Sequence, residues 1–175
     1  FRRVLFRSVA YYKGIMKEGD KEPISYGLNS QLVRGENGLE EKVWKVDGMY
    51  GEAIKEIIGW LEKAVTVAEN EGQGNALKLL IEYYQTGSLE KWDEYNIAWA
   101  SSIDGDIDYI NSFIEVYNDP LGYRGSYETV IQINDFEASD RMSILSENCQ
   151  YFEDNSSIMD EHKKKSVVGV SYKVV

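Results

Sequence analysis

A glutamate and a tyrosine, Glu115 and Tyr117, lie two residues apart, just before an Asp-Pro-Leu-Gly turn at residues 119–122. On a β-strand, both side chains would point to the same face of the sheet. A carboxylate there can hold an ammonium group by charge-assisted hydrogen bonds, and a phenol can donate to an oxyanion that forms nearby. The pair could therefore capture a peptide's amino end. Composition and spacing alone favour the simpler interpretation, in which Tyr117 packs at a strand end and Glu115 is only solvated.

A second carboxylate, Glu128, lies on the next predicted strand and could face the same cleft as Glu115. Two carboxylates about 5–10 Å apart are what acid/base hydrolysis of a glycoside requires. Because the chain has 30 acidic residues among 175, a pair of this kind is also expected by chance. Spacing alone leaves both interpretations open.

The acidic residues that precede the pair partly match a calcium-binding loop. Positions 1, 3, 5 and 12 of an EF-hand loop would be filled by Asp104, Asp106, Asp108 and Glu115. The sixth position is Tyr109, where the loop needs a glycine for its sharp turn, and Pro120 follows where an exit helix should run. We therefore predict a solvated acidic loop and no calcium site.

Zinc ligands are scarce, since His162 is the only histidine, Cys149 is the only cysteine, and no His-Glu-x-x-His motif occurs. We expect this chain to bind no zinc by itself, with His162 on a charged surface loop and Cys149 as a small apolar residue on a helix face. A single cysteine argues against a disulfide framework and fits a reducing compartment. With no secretory signal in view, the predicted location is cytoplasmic.

Helical and strand periodicities predict the elements that position these residues. A hairpin should form around Asn37-Gly38. The predicted helices cover residues 48–70 with Asp47 as cap, 74–86 ended by Gly87, 89–100 capped by Ser88, and 136–153 capped by Asn134 or Asp135. The predicted strands run through residues 113–117 and 127–133, with a further run from Ser166 to the last residue.

The first eight residues, FRRVLFRS, are basic in an acidic chain and can be encoded by the sequence of a common sequencing adapter. We therefore expect residues 1–8 to be an artefact and leave them out of the fold. Without their three arginines, the formal net charge of −11 becomes −14. A chain this acidic repels phosphate backbones, which disfavours nucleic acid as a partner. No stretch approaches the roughly 20 apolar residues of a membrane span.

Several ordered blocks of the chain resemble the dipeptidyl-peptidase III family of zinc peptidases. The longest is Tyr109 to Glu128, YINSFIEVYNDPLGYRGSYE, which is similar to the stretch that precedes the zinc motif in that family. The other blocks are ISYGLNS (24–30), VWKVDGMY (43–50), WLEKA (60–64), DEYNIAW (93–99) and YFEDNS (151–156). Together they extend over essentially all of residues 9–175.

The resemblance implies a two-lobed peptidase that cleaves dipeptides from the amino ends of short peptides. It implies an α+β fold, mostly helical, with a few strands that belong to a small β-barrel core. Residues 9–133 would be part of the barrel-bearing lobe, and residues 134–175 the truncated start of the helical lobe that carries zinc. The family's zinc motifs lie downstream of these blocks, so the chain is expected to be an internal fragment, inactive alone, of a zinc enzyme.

The resemblance also implies roles for three residues. By position, Glu115 matches the family's binder of the substrate amino terminus, and Tyr117 its stabiliser of the tetrahedral intermediate. Glu128 matches a further glutamate of the cleft. The implied partners are short peptides. A non-catalytic peptide-binding or assembly module on the same scaffold is the alternative function.

Overall fold

The computed structural model describes residues 27–167. In chain order its elements are strands β1 (Ser30–Gly35) and β2 (Gly38–Val43), helices α1 (Gly51–Thr66), α2 (Glu71–Thr86) and α3 (Leu89–Ser101), strands β3 (Ile107–Glu115) and β4 (Ser126–Ile133), helices α4 (Phe136–Glu147) and α5 (Cys149–Asp154), and a short 3₁₀ helix (Asp160–His162). This mixture of helices and strands agrees with the α+β prediction. Residues 1–8 and most of the strand expected after Ser166 lie outside the described residues.

The described residues form two compact units. The first consists of residues 27–104 together with Ile110–Val130, and the second of Gly105–Tyr109 together with residues 131–167. The domain boundary expected between residues 133 and 134 stays a prediction. Between residues 27 and 167 the strands form two two-stranded sheets and no closed barrel.

The predicted hairpin is the first sheet. Strands β1 and β2 pair antiparallel, with Ser30 opposite Val43 and Gly35 opposite Gly38. The two-residue loop is therefore Glu36-Asn37, one position earlier than the Asn-Gly loop we expected. Gly38 instead begins β2 with a φ of 134°, a conformation that glycine adopts at little cost.

Helix α1 is shorter than predicted at both ends, and its cap is not Asp47. The residue before the helix is Tyr50, which has a left-handed backbone (φ 63°) and makes no side-chain cap hydrogen bond. Residues 48–50 form a turn against the hairpin instead of helix, because the Met49 amide donates to the Val43 carbonyl at 3.1 Å. The chain therefore folds back onto the end of β2 before α1 begins.

The end of helix α2 and the start of helix α3 are as the sequence predicts, whereas the start of α2 is not. The Asn70 side chain accepts from the Gln73 amide and caps α2, which therefore begins three residues earlier than expected. Gly87 ends α2 in the left-handed conformation (φ 72°), and the Ser88 side chain accepts from the Lys91 amide at the start of α3. Unpaired amides and carbonyls at helix ends are satisfied in this way.

The core of the first unit lies between α1, α2 and the sheets. Its most buried side chains include Ile54, Leu80, Tyr83 and Tyr84 at 0–1% exposure. Burying one such side chain stabilises the fold by about 1.5–3 kcal/mol relative to leaving it exposed. Tyr83 and Tyr84 extend this core through ring contacts to Trp92 and Phe113.

The second sheet carries the predicted site residues. Strand β3 ends at Glu115, two residues before Tyr117, so the strand predicted for 113–117 is too long at its end. Tyr117 lies instead in a turn in which the Asp119 amide donates to the Val116 carbonyl at 3.0 Å. The Ser126 hydroxyl donates to the Glu115 carbonyl at 3.0 Å, and the Asn134 amide donates to the Asp106 carbonyl at 2.7 Å, which makes β3 and β4 antiparallel.

The single helix predicted for residues 136–153 is two helices. Of the two expected caps, Asp135 is the one that caps α4, since its side chain accepts from the Ala138 amide at 2.9 Å. At Asn148 the helix breaks, and the Asn148 side chain donates to the Ile144 carbonyl at 2.7 Å. Asparagine side chains compete with the backbone for such carbonyls and weaken a helix interior, which explains the break.

Candidate functional site

The three predicted site residues meet at one end of the second sheet. Glu115 is the last residue of β3, Glu128 is the third residue of β4, and both are half-buried. Tyr117 lies in the turn that follows β3 and is 84% exposed. Both carboxylates are close enough to the Tyr117 phenol to raise its pKa, Glu115 more than Glu128.

Electrostatics hold the Tyr117 phenol in its neutral form. Its hydrogen bond to Glu115, the negative charge of Glu115, a little burial and the charge of Glu128 all raise the pKa of Tyr117 above its usual value near 10. A phenol with a raised pKa keeps its proton at neutral pH and stays a hydrogen-bond donor. The arrangement can therefore offer one donor and two negative carboxylates to a ligand.

An aromatic cluster fixes the strand that carries Glu115. Phe113, two residues before Glu115, is 6% exposed and lies 4.6 Å from Trp44 and 5.4 Å from Tyr127 between ring centroids. These rings come from the residue that follows β2, from β3 and from β4. Their contacts immobilise the strand within two residues of the site.

A partly buried hydrogen bond connects the same strand to helix α2. The Tyr84 hydroxyl donates to the Asn111 side-chain oxygen at 2.7 Å. The Asn111 amide group lies 3.1 Å from the Tyr127 hydroxyl and 3.3 Å from the Thr129 hydroxyl on β4. Asn111 thus connects α2, β3 and β4 behind the site.

Gly125 lets the returning chain lie against β3. Its amide donates to the Leu28 carbonyl at 2.7 Å. A Cβ at this position would lie 2.9 Å from the carbonyl carbon of Phe113 and 3.1 Å from the Ile114 nitrogen. Since these are backbone atoms, only glycine fits without displacing β3 or β4.

A cavity of about 360 Å³ opens beside these residues in the first unit. Its wall is mostly apolar and is formed by Trp44, Tyr50, Ala53, Ile54, Ile57, Phe113, Gly125, Ser126 and Tyr127. Ser126 belongs both to this wall and to the hydrogen bond that holds the Glu115 carbonyl. Apolar walls with a few polar groups are typical of ligand pockets.

The other candidates from the sequence are not brought together. The acidic residues of the partial EF-hand match do not form its curled loop, because Ile107–Glu115 is an extended strand. His162 lies on the surface with its side chain 60% exposed, and Cys149 lies on α5 with its thiol directed at the Leu145 carbonyl. Within residues 27–167, no three His, Cys, Asp or Glu side chains are grouped to hold a metal ion, and no helix is long and apolar enough to cross a membrane.

Sequence reasoning did not assign a role to Asp119, whose side chain organises the loop between β3 and β4. Its carboxylate accepts from the backbone amides of Tyr123 at 3.0 Å and Arg124 at 3.1 Å. The Asp-Pro-Leu-Gly pattern predicted a turn, but not which later amides the carboxylate would reach. Ser126 was missed for the same reason, since nothing local in the sequence indicates its bond to Glu115.

Comparison with known proteins identifies relatives of the chain. The family model described as Peptidase family M49 matches residues 26–155. Dipeptidyl peptidase 3 of Dictyostelium discoideum is 29% identical over 107 residues, which are 61% of this chain and 16% of that protein. The human protein of the same name is 31% identical over 86 residues, which are 49% of this chain and 12% of that protein.

Two solved structures share the fold. The structure of DPP III from Caldithrix abyssi superposes with a TM-score of 0.69 at 21% identity, over 91% of this chain and 29% of that one. Dipeptidyl-peptidase III from Corallococcus sp. strain EGB gives a TM-score of 0.59 at 16% identity over the same shares. The chain thus spans under a third of the length of these relatives.

Proposed function

Because the chain belongs to peptidase family M49, we propose that it works as part of a longer zinc-dependent exopeptidase that releases dipeptides from the amino ends of short peptides. This chain supplies one wall of the peptide site. The observation that carries the proposal is the meeting of Tyr117 with Glu115 and Glu128 at an open sheet end.

Glu115 binds the ammonium group of the peptide. A carboxylate that accepts from an ammonium forms a strong, charge-assisted hydrogen bond. Because Glu115 ends a strand held by Phe113 and by Ser126, its position is set before the peptide arrives. A fixed anchor for the amino end sets the distance to the bond that is cleaved, and so selects dipeptides.

Tyr117 donates a hydrogen bond to the oxyanion that forms as the peptide carbonyl is attacked. Its raised pKa keeps the proton on the phenol oxygen at neutral pH. When the peptide ammonium binds the Glu115 carboxylate, the phenol no longer donates to Glu115. It can then turn to the carbonyl oxygen of the peptide. Glu128 adds negative charge beside the ammonium site.

The zinc ion of the whole enzyme is proposed to bind outside this chain, where it would supply an activated water when bound. The part of the chain that the structure describes does not offer a fitting set of ligands. No step of the proposal therefore runs through a metal held by these residues. The small barrel core, the two lobes and the cytoplasmic location belong to the same proposal.

The test compares a free amino end with a blocked one in the full-length protein that contains this chain. We expect release of dipeptides from a short peptide and none from its N-acetylated form. Glu115→Gln should raise KM about tenfold or more, because hydrogen bonds to charged groups are worth about 1.5–3 kcal/mol. Glu62→Gln, which removes an equal charge from the exposed face of α1, is the matched control and should change KM little.

Equal cleavage of both peptides would remove Glu115 from its proposed role. Binding of the free peptide without any hydrolysis would favour the non-catalytic peptide-binding module instead.

A further inference from the structure

We propose that Asp119 is a positioning residue that holds Tyr117 and Glu115 in their reactive arrangement. The inference rests on the proposed function and adds a residue to it. Asp119 touches neither the peptide nor the reacting atoms in this account. It acts through the loop that joins β3 to β4.

Asp119 is the residue shared by two consecutive turns. Its amide donates to the Val116 carbonyl at 3.0 Å and closes the turn that contains Tyr117. Its carbonyl accepts from the Gly122 amide at 2.9 Å and closes the next turn. The backbone of Tyr117 is therefore set by a turn that ends on Asp119.

The Asp119 side chain fixes the second half of the loop. One carboxylate oxygen accepts from the amides of both Tyr123 and Arg124. The next residue, Gly125, is anchored to the Leu28 carbonyl, and Ser126 then binds the Glu115 carbonyl. The loop is thus held from the end of β3 to the start of β4, and Asp119 provides its central connection.

The charge on Asp119 suits this role. Partial burial acts to raise its pKa, but the amides of Tyr123, Arg124 and Leu121 and the charge of Arg124 outweigh burial and hold the pKa below the usual value. The carboxylate is therefore ionised at neutral pH, where it accepts more strongly than a neutral oxygen. Losing the side chain frees residues 120–124 and loosens the turn that orients the phenol.

The experiment uses the full-length protein with Asp119→Ala, Asp119→Asn and Asp135→Ala. Asp119→Ala should lower kcat/KM about tenfold, because small misplacements of reacting groups cost rate steeply. Asp119→Asn keeps an oxygen that can accept from the two amides, so it should stay within about threefold of wild type. Asp135→Ala removes a comparable aspartate-to-amide bond at the start of α4 and should leave kcat/KM unchanged.

A second readout reports the geometry without turnover. The pKa of the Tyr117 phenol is measured by ¹³C NMR of labelled tyrosine rings, with its resonance assigned by its loss in Tyr117→Phe. Asp119→Ala should lower this pKa towards 10, because the bond to Glu115 is weakened, while Asp135→Ala should leave it in place.

The inference fails if Asp119→Ala behaves like Asp135→Ala in both readouts, or if its activity falls while the Tyr117 pKa stays unchanged. It also fails if Asp119→Asn is as impaired as Asp119→Ala. Wild-type protein that releases no dipeptides would instead contradict the proposed function, and the NMR titration would still test the link between Asp119 and Tyr117.

Discussion

The two units of this chain differ in how their elements are stabilised. In the first unit, residues such as Leu80 and Tyr84 are fully buried, and Glu115 lies on a strand whose Phe113 contacts the Tyr84 ring. In the second unit, no described side chain is buried, and large apolar residues of α4 and α5, such as Phe136, Ile144 and Phe152, are 51–61% exposed. Caps and ion pairs along the chain stabilise its helices instead.

The difference shows in which unit contacts within this chain fix the positions of side chains. A site on the first unit is held by contacts within this chain, so substitutions there should have large effects. The same kind of substitution in the second unit removes few contacts and should have small ones. All four tryptophans lie in the first unit, so their fluorescence reports that unit alone.

The largest effect is expected from truncating the core of the first unit. Leu80 is 0% exposed, so Leu80→Ala should lower the free energy of unfolding of this unit by about 2–5 kcal/mol. The measurement is urea unfolding followed by tryptophan fluorescence. Leu145→Ala in the second unit, where the side chain is 44% exposed, is the matched variant and should leave this transition unchanged. Similar losses for both variants would abolish the distinction between the units.

Two glycine substitutions sharpen the comparison within the first unit, because they should act in opposite directions. Gly125→Ala places a Cβ 2.9 Å from the β3 backbone and should destabilise the unit by about 1–3 kcal/mol. Gly59 lies on α1, and a Cβ added there would have no other atom within 4 Å. Gly59→Ala should therefore stabilise the unit by about 0.5–1 kcal/mol. Urea unfolding of both variants measures the sign of each change in the free energy of unfolding. A stable Gly125→Ala would mean that β3 and β4 are not packed as described.

The smallest effect is a pH dependence, and its origin differs between the units. Burial opposes the lowering of the Asp119 pKa, but backbone amides prevail, whereas the Lys163 side chain holds the pKa of Asp160 low in the second unit. Because both pKa values are depressed on folding, both contributions to stability are present above the unfolded pKa near 3.9 and are lost as the pH falls through the folded values.

The pKa values of these two carboxylates, measured by ¹³C NMR titration, should respond differently to salt. Asp160 is exposed and pairs with an ammonium, so 1 M salt should move its pKa towards the usual value. Asp119 owes its shift mainly to amides that salt screens less, so its pKa should move little. Equal responses to salt would show that Asp119 is not held by the backbone of its loop.

Prediction from sequence succeeded where the determining contacts are local. The hairpin, the Ser88 and Asp135 caps and the end of α2 at Gly87 all follow from residues within a few positions of the feature. Failures came where a competing hydrogen bond replaces the expected helix. The turn in which the Met49 amide donates to the Val43 carbonyl places Tyr50 rather than Asp47 before α1. The Asn148 side chain donates to the Ile144 carbonyl where the helix predicted for residues 136–153 breaks.

The site shows the same limit. The structure places Glu115 and Tyr117 close together, but Glu115 ends β3 and Tyr117 lies in the following turn, so they do not share a strand face as the spacing predicted. Glu128 joined them through pairing of β3 with β4, which the two predicted strands allowed. The supporting bonds from Asp119, Asn111 and Ser126 depend on loop geometry and on sheet register, and neither can be read from local residue types.

The role of Tyr117 is the most direct test of the proposed function, and Tyr117→Phe in the full-length protein measures it. The change removes one hydroxyl from an 84% exposed side chain and should leave the fold intact. We expect kcat for dipeptide release to fall about 10²–10³-fold, as for loss of one oxyanion donor, with KM within about threefold of wild type. An unchanged kcat would contradict the account.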